Sequence, residues 1–357
     1  MKPKHWQLLQ HTVSVPPGLK NAHHQWDELT RLYLLISDGQ GNTGIGEATP
    51  LPGLSPDTAL VCKTTLSQFL PLFMNKAISS PQDIATVAAV FPSALPAARF
   101  ALETALLDLL AQSRNIPLWA LFVPEPCPVR VNALLSEDTL EADAHRLFNS
   151  GIRVFKLKVG ARNNFRSEVG HLQWLRETFG DDIVIRLDAN GALAGPHMAH
   201  KLDELSRFNP EYIEEPAPFA ALVPGQLRVP YAFDESLIQI KNPHAIEAHP
   251  LCKALILKPT LLGGFFHLQK LTEIAEQSNR QAVITHSFES LPGFLAAVHL
   301  AVSVRAKSIC GLHPHPALDA VDASTFFELN GDAIQLKTHP GLGVRPEDII
   351  NLDIGES

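Results

Sequence analysis

The sequence predicts an α/β protein: a TIM-type (β/α) barrel carrying an α+β capping domain formed by the N-terminal segment and the C-terminal tail. Two observations carry that prediction. From residue 128 onward, eight short apolar runs alternate with helical stretches over roughly 190 residues, the rhythm of βαβ units closing into a ring rather than an open sheet. Ahead of them, a hairpin signal is followed by helical periodicity, the pattern of a separate α+β module.

Taken in order, residues 31–48 (RLYLLISDGQGNTGIGEA) give two strand-like runs around a Gly-containing turn. Residues 57–74 and 97–114 place apolar side chains at three- and four-residue spacing, as amphipathic helices do. The eight barrel runs are then VRVNALL (129–135), RVFKLKV (153–159), IVIRLDA (183–189), YIEEP (212–216), YAFDES (231–236), KALILK (253–258), AVITHS (282–287) and SICGL (308–312), of which the fourth and eighth carry the weakest strand signal. The boundaries expected are 1–125 for the capping domain, 126–319 for the barrel and 320–357 for a C-terminal return to the capping domain, which includes HPGLGV. No solenoid period is present.

Bulk properties narrow the function. The 357 residues are 45% hydrophobic and 18% charged, a globular balance, and the formal net charge of −8 without a long basic run gives a phosphate backbone little to hold. Small-molecule substrates are therefore expected, and neither nucleic acid nor a membrane, since no stretch nears the ~18 apolar residues a span requires. Cys62, Cys127, Cys252 and Cys310 are widely spaced and form no C-x-x-C pair, and the start MKPKHWQLLQHTVSV lacks a signal-peptide apolar core, so a cytoplasmic protein with reduced thiols is expected. Oligomeric state is not legible.

The chemistry begins with VFKLKVG (154–160). Alternation along a strand puts Phe155, Leu157 and Val159 on one side and Val154, Lys156 and Lys158 on the other. An isolated K-x-K is as readily a half-exposed strand. The other runs decide, because polar groups also interrupt them where barrel strands end, the place active sites occupy: Asp188 in the third, Glu214 and Glu215 in the fourth, Asp234 and Glu235 in the fifth and Lys258 in the sixth. Carboxylates from adjacent strands repel unless a cation sits among them, and an all-oxygen shell suits a hard divalent ion, Mg²⁺ first with Mn²⁺ as substitute. Asp188, Glu214 and Asp234 are the expected metal ligands. Glu215 and Glu235, one residue on, are expected to point the other way. A dication and a second ammonium would both push a lysine towards a usable base, which makes Lys158 and Lys258 the expected catalytic residues.

Together, K-x-K at Lys156 and Lys158, RLDAN at 186–190, EEP at 214–216, DES at 234–236 and KPTLLGG at 258–264 resemble the enolase superfamily, its muconate-lactonizing subgroup and, within that, the o-succinylbenzoate synthases. GIGEATPLPGLSPDT (44–58) resembles the substrate-covering loop of the capping domain, with Gly53 and Ser55 at its tip, and PGLGV (340–344) resembles the family's C-terminal return. The resemblance implies a Mg²⁺-dependent dehydration of a cyclohexadiene carboxylate bearing a hydroxyl and a succinyl group, on the route to menaquinone or phylloquinone. It implies that Lys158 takes the α-proton, Lys258 faces it as a cation, Lys156 binds the substrate carboxylate, Arg186, counted with the substrate-binding residues, braces a neighbouring acid, and Ser287 with the following FESLPG meets the succinyl end. His286 is expected to pack rather than to act as a base, because strand six ends in Lys258. Dipeptide or N-acylamino acid epimerases use the same two lysines and are the alternative. Dipeptide epimerases commonly carry D-x-D after the eighth strand, where this chain has GLHPHPALD (311–319). A non-catalytic barrel is disfavoured because every ligand and lysine position is kept.

Overall fold

The computed structural model describes residues 1–14, 26–160, 164–225, 227–240, 243–315, 318 and 322–350. Asp319 and the expected 319/320 boundary lie outside the described residues.

The strands β1 (His5–Ser14), β2 (Glu28–Ser37) and β3 (Thr43–Ala48) form an antiparallel sheet in that order. Its β2–β3 hairpin is the one expected over 31–48, and Asp38 fixes the turn by accepting from the Gln40 N–H (2.8 Å) and the Asn42 amide (2.7 Å). Strand β1 was not anticipated, because glutamines and a histidine blur its alternation. Helices α1 (Ala59–Phe69), α2 (Pro81–Ala89) and α3 (Pro96–Ser113) follow. Helix α3 departs from the amphipathic expectation: every residue from Pro96 to Ala111 except Arg99 is buried. A helix buried all round belongs between two layers, and α3 does lie between this sheet and the second half of the fold, with Glu103 and Asp108 buried on it as hydrogen-bond acceptors. The approach of β3 to it is so close that a Cβ on Gly44 or Gly46 would fall 2.0 or 1.9 Å from the carbonyl oxygens of Ala105 and Ala101.

The second half contains β4 (Val129–Arg130), β5 (Ala133–Leu134), α4 (Leu140–Asn149), β6 (Val154–Lys158), α5 (Phe165–Phe179), β7 (Val184–Asp188), α6 (Met198–Ser206), β8 (Ile213–Glu214), β9 (Tyr231–Phe233), β10 (Cys252–Leu257), α7 (Pro259–Leu262), α8 (Phe265–Gln277), β11 (Gln281–Ile284) and α9 (Leu291–Ser303). Strands β5 to β11 form one parallel sheet in sequence order. The eight-stranded ring expected is not made by eight strands. The eighth run supplies single bridges on either side, Thr285 to Gly311 and Cys310 to Val131, across the gap between the sheet's edges. Gly311 explains its brevity: a Cβ there would lie 2.5 Å from Thr285 Oγ1, so the site takes only glycine, which contributes no side chain to a strand.

Outward residues such as Phe155, Leu157, Ile185, Leu187, Phe233 and Leu255 join the main core under the helices. Inward, Tyr212, Ala232, Ala254, Ile256 and Val283 fill the centre as a separate cluster. The terminal hairpin of β12 (Phe327–Asn330) and β13 (Ala333–Leu336) pairs with β4, not with the first sheet. Beyond it, Gly341 bridges Pro117 and the Leu342 N–H donates to Asp108 on α3 (2.8 Å), ahead of α10 (Pro346–Ile350). Among the described residues no helix is long and apolar enough to cross a membrane.

Candidate active site at the strand ends

Alternation brings both lysines of the K-x-K inward, and the registers Lys156↔Arg186, Lys158↔Asp188 and Asp188↔Glu214 set their neighbours. They open on a cavity of about 130 Å³, room for several waters or a small acid, whose polar wall includes Lys156, Lys158, Asp188, Glu214 and Lys258. Lys158 ends β6 and Lys258 follows β10, so three carboxylate-bearing strands separate the two ammonium groups across the cavity. The opposite wall is apolar. Leu51 and Leu54 of the capping loop and Trp26 ahead of β2 join Phe288 in one small cluster there.

The carboxylates stand as ion pairs. Lys156 Nζ lies 2.9 Å from Asp188 Oδ2 and 2.8 Å from Glu214 Oε1, while Lys258 closes on Asp234. Burial alone would raise Asp188, but the ammonium groups of Lys156 and Lys258 outweigh it and hold this carboxyl below its ordinary range. Glu214 is raised by burial and by the charge of Asp188, and Asp234 by burial and by Glu235. Burial also opposes charge on the lysines, yet the carboxylates hold Lys156 and Lys258 above the usual ammonium range. The expected downward push on a catalytic lysine is not found at Lys258, where the carboxylates of Asp234, Glu235 and Glu214 dominate over burial.

The donor chemistry suits a hard divalent cation: three buried carboxylates on neighbouring strands, with Glu235 Oε2 also buried and without a hydrogen-bond partner. Among the described residues no three acidic, His or Cys side chains are grouped so that they could hold a metal ion, and Lys156 bridges two of the carboxylates, Asp188 and Glu214. Glu215 points away as expected, accepting from Ser236 and from the Asp234 N–H (2.9 Å). Glu235 does not. It lines the cavity, bonded to the Asn190 amide (3.2 Å), because β9 ends at Phe233 and a 3₁₀ turn over Glu235–Ile238 replaces strand alternation.

Other sequence-derived candidates separate. Ser287 lines the cavity, and its buried Oγ has no hydrogen-bond partner. Arg186 is not on the cavity wall: it lies beneath the floor, bonded to Glu211 (2.8 Å), Asn132 (2.9 Å) and the Ile309 carbonyl (2.8 Å), with its guanidinium over the Tyr212 ring. Two of its contacts, Asn132 and Tyr212, do face the cavity. Gly53 and Ser55 do not line it either. Gly53 turns the loop at φ +80°, and Ser55 Oγ accepts from the Leu51 N–H (2.7 Å), so the leucines on either side reach the mouth. Asn132 and Tyr212 were not singled out from sequence, although each sits two residues before a cavity-lining position, Leu134 and Glu214.

His286 and His313 also line the cavity. The His286 ring lies 4.4 Å from that of His315, and burial, that neighbour and the two lysines Lys156 and Lys258 push its basicity well down. Glu289 ties this end to the lysine side, taking the Ser287 N–H and the Thr260 hydroxyl. Glu47 of β3 ties the capping sheet to the start of α9: it accepts from the Ser290 N–H (2.8 Å), Ser290 Oγ (2.6 Å) and the Gly293 N–H (3.0 Å).

Two family models match the chain: "Mandelate racemase / muconate lactonizing enzyme, N-terminal domain" over residues 12–122 and "Enolase C-terminal domain-like" over residues 139–350. An L-Lys-D/L-Arg epimerase of Methylococcus capsulatus is 28% identical, with 90% of this chain and 93% of the relative covered. An o-succinylbenzoate synthase of Desulfotalea psychrophila is 30% identical over 72% of this chain and 79% of the relative. Among solved structures, the dipeptide epimerase of Methylococcus capsulatus complexed with Mg and dipeptide L-Arg-D-Lys superposes with a TM-score of 0.80 at 27% identity, covering 96% of this chain and 99% of that one.

Proposed function

From the premise that the chain belongs to the mandelate racemase / muconate lactonizing enzyme family of the enolase superfamily, we propose that it is a Mg²⁺-dependent dehydratase. Its reaction converts 2-succinyl-6-hydroxy-2,4-cyclohexadiene-1-carboxylate to o-succinylbenzoate. The observation that carries this reading is the end of the eighth run, where Gly311 and His313 line the cavity and the local sequence GLHPHPALD lacks the D-x-D that would hold a dipeptide's ammonium.

Asp188, Glu214 and Asp234 would hold the Mg²⁺, which when bound polarises the substrate carboxylate and so acidifies the adjacent C–H. Lys156, already between two of those carboxylates, donates to the substrate carboxylate as well. Lys158 takes the proton from the carbon beside the carboxylate. It then returns that proton to the departing 6-hydroxide on the same face, so C–H and C–O bonds break, water leaves and the ring becomes aromatic. Lys258, on the other side, keeps its charge through Asp234 and stabilises the negative charge that develops on the ring. Leu51, Leu54 and Trp26 exclude water from the mouth.

The second reading, an epimerase of dipeptides or N-acylamino acids, is favoured by the 28% identical epimerase relative and needs the same two lysines. One experiment separates them: purified, Mg²⁺-loaded protein is given the cyclohexadiene acid and, separately, a dipeptide panel in D₂O. Formation of o-succinylbenzoate with no fast α-deuteration of dipeptides is expected. Deuteration and inversion of a dipeptide without dehydration would replace the first reading by the second.

A further inference from the structure

Lys258 is the first residue past β10, which ends at Leu257, so the ladder that carries Lys158 and Asp188 does not extend to it. Its backbone belongs instead to the turn that follows: the Lys258 carbonyl accepts from the Leu261 N–H (3.1 Å) and the Leu262 N–H (2.9 Å) at the head of α7. Lysine and turn therefore move as one piece. That piece is fastened from the side by Thr260, which is fully enclosed and whose hydroxyl donates to Glu289 Oε1, while Glu289 Oε2 takes the Ser287 N–H.

Glu289 is itself fully buried and forms no ion pair among the described residues. Its main chain is held from beyond the eighth run, where His315 Nε2 donates to the Glu289 carbonyl (3.1 Å). Helix α9 closes on its side chain so tightly that a Cβ on Gly293 would fall 2.6 Å from Glu289 Cβ. A buried carboxylate without a cation is costly, and a neutral pair would join two loops as well. What the charge adds is stiffness, because charge-assisted hydrogen bonds are shorter and roughly twice as strong as neutral ones.

We propose that Glu289, acting through the Thr260 hydroxyl, is a positioning residue that fixes where the Lys258 ammonium stands across the cavity. Asp234 holds the tip of the lysine, and the bond from Thr260 to Glu289 holds its root. The inference goes beyond the dehydratase reading, since Lys258 faces the substrate in epimerisation as well, and rests on that reading for the substrate assayed.

The test compares Thr260→Val and Thr260→Ala, which lack the hydroxyl, with Thr260→Ser, which keeps it, in Mg²⁺-loaded protein by turnover per folded molecule and by crystal structures. In the hydroxyl-free variants kcat should fall about tenfold or more with KM within about twofold of wild type, and the Lys258 ammonium should shift by about 1 Å while Lys158 stays in place. Thr260→Ser should recover most of kcat. An equal loss in Thr260→Ser, a loss carried by KM, an unchanged kcat or an unmoved Lys258 overturns the proposal. So does failure of both hydroxyl-free variants to fold, which would make the bond a determinant of the fold alone. Turnover is read on the cyclohexadiene acid, or on a dipeptide if wild type inverts one. The same kcat pattern on a dipeptide alone keeps the positioning role and removes the dehydratase reading. A wild type inactive on both removes the functional readings, and the displacement of Lys258 then decides the proposal by itself.

Discussion

The Lys156 ammonium nitrogen lies 2.8 Å from Glu214 Oε1, inside a cavity whose acidic side chains are themselves the candidates for a divalent cation. An ammonium can therefore stand in for part of the charge a metal would bring. The partners are nearly all buried, so removing the ammonium leaves carboxylates without compensation, a change that costs about 3–5 kcal/mol for a buried pair broken on one side.

Lys156→Met should accordingly lower stability in metal-free buffer by an amount of that order. Added Mg²⁺ should stabilise the variant more than it stabilises wild type, since the cation then neutralises what the lysine no longer does. Thermal unfolding with and without Mg²⁺ checks this, and an identical Mg²⁺ response in the two proteins would remove the carboxylate cluster as the metal site.

Glu47→Gln tests the joint between the capping sheet and α9. The carboxylate uses both oxygens, Oε1 on the Ser290 N–H and Oε2 on Ser290 Oγ and the Gly293 N–H. An amide presents a donor in place of one oxygen, leaving a buried N–H facing it. A loss of about 1–3 kcal/mol in denaturant unfolding is expected. A change below about 0.5 kcal/mol, the range of ordinary surface substitutions, would show that the joint contributes little.

His299 on α9 gives a pH dependence whose sign is fixed by burial. Its ring is enclosed and its Nδ1 accepts from the Trp119 N–H (3.2 Å), and burial pushes its pKa down to about 3. The unfolded chain, with an ordinary histidine near 6.5, binds a proton that the folded chain refuses in between. Stability is thus full above about pH 6.5 and falls as pH drops towards 3, by about 1.4 kcal/mol per pH unit for this one proton. His299→Gln, whose amide oxygen can still accept, should flatten the slope of unfolding free energy between pH 4 and 6 by that amount. His286 and His315, also pushed down by burial, keep part of the slope. An unchanged slope would show that His299 is protonated in the fold.

Sequence alternation works where strands are long enough to express it. Strands β6 and β7 run five residues each, and there the inward placement of Lys156, Lys158 and Asp188 is readable from the pattern alone. It fails at Glu235 because β9 is only three residues long and the chain leaves extended geometry at Asp234 (φ −122°, ψ −95°). It fails differently at Arg186, which is correctly inward but two residues too deep, so that its charge meets Glu211 and Asn132 below the floor. The eighth run illustrates a third limit. Its contribution depends on a backbone approach at Gly311, and composition shows only a glycine in an apolar stretch.

The two cavity lysines can be told apart by what each reaction demands of the second face. Epimerisation must deliver a proton from the side opposite to abstraction, so Lys158 and Lys258 have to act as matched base and acid. Syn dehydration needs one proton carrier, because Lys158 can give back to the leaving hydroxide the proton it took. Lys258 then contributes charge alone, held on the ammonium by Asp234. Lys158→Ala should therefore abolish dehydration. Lys258→Arg keeps a cation beside Asp234 but exchanges protons poorly, so it should retain measurable dehydration while losing any racemisation measured by α-deuteration in D₂O. A guanidinium is bulkier than an ammonium, and product binding by the Arg variant controls for a blocked cavity. If Lys258→Arg binds o-succinylbenzoate as wild type does yet fails to dehydrate, while Lys158→Ala retains turnover, the roles assigned to the two faces are reversed.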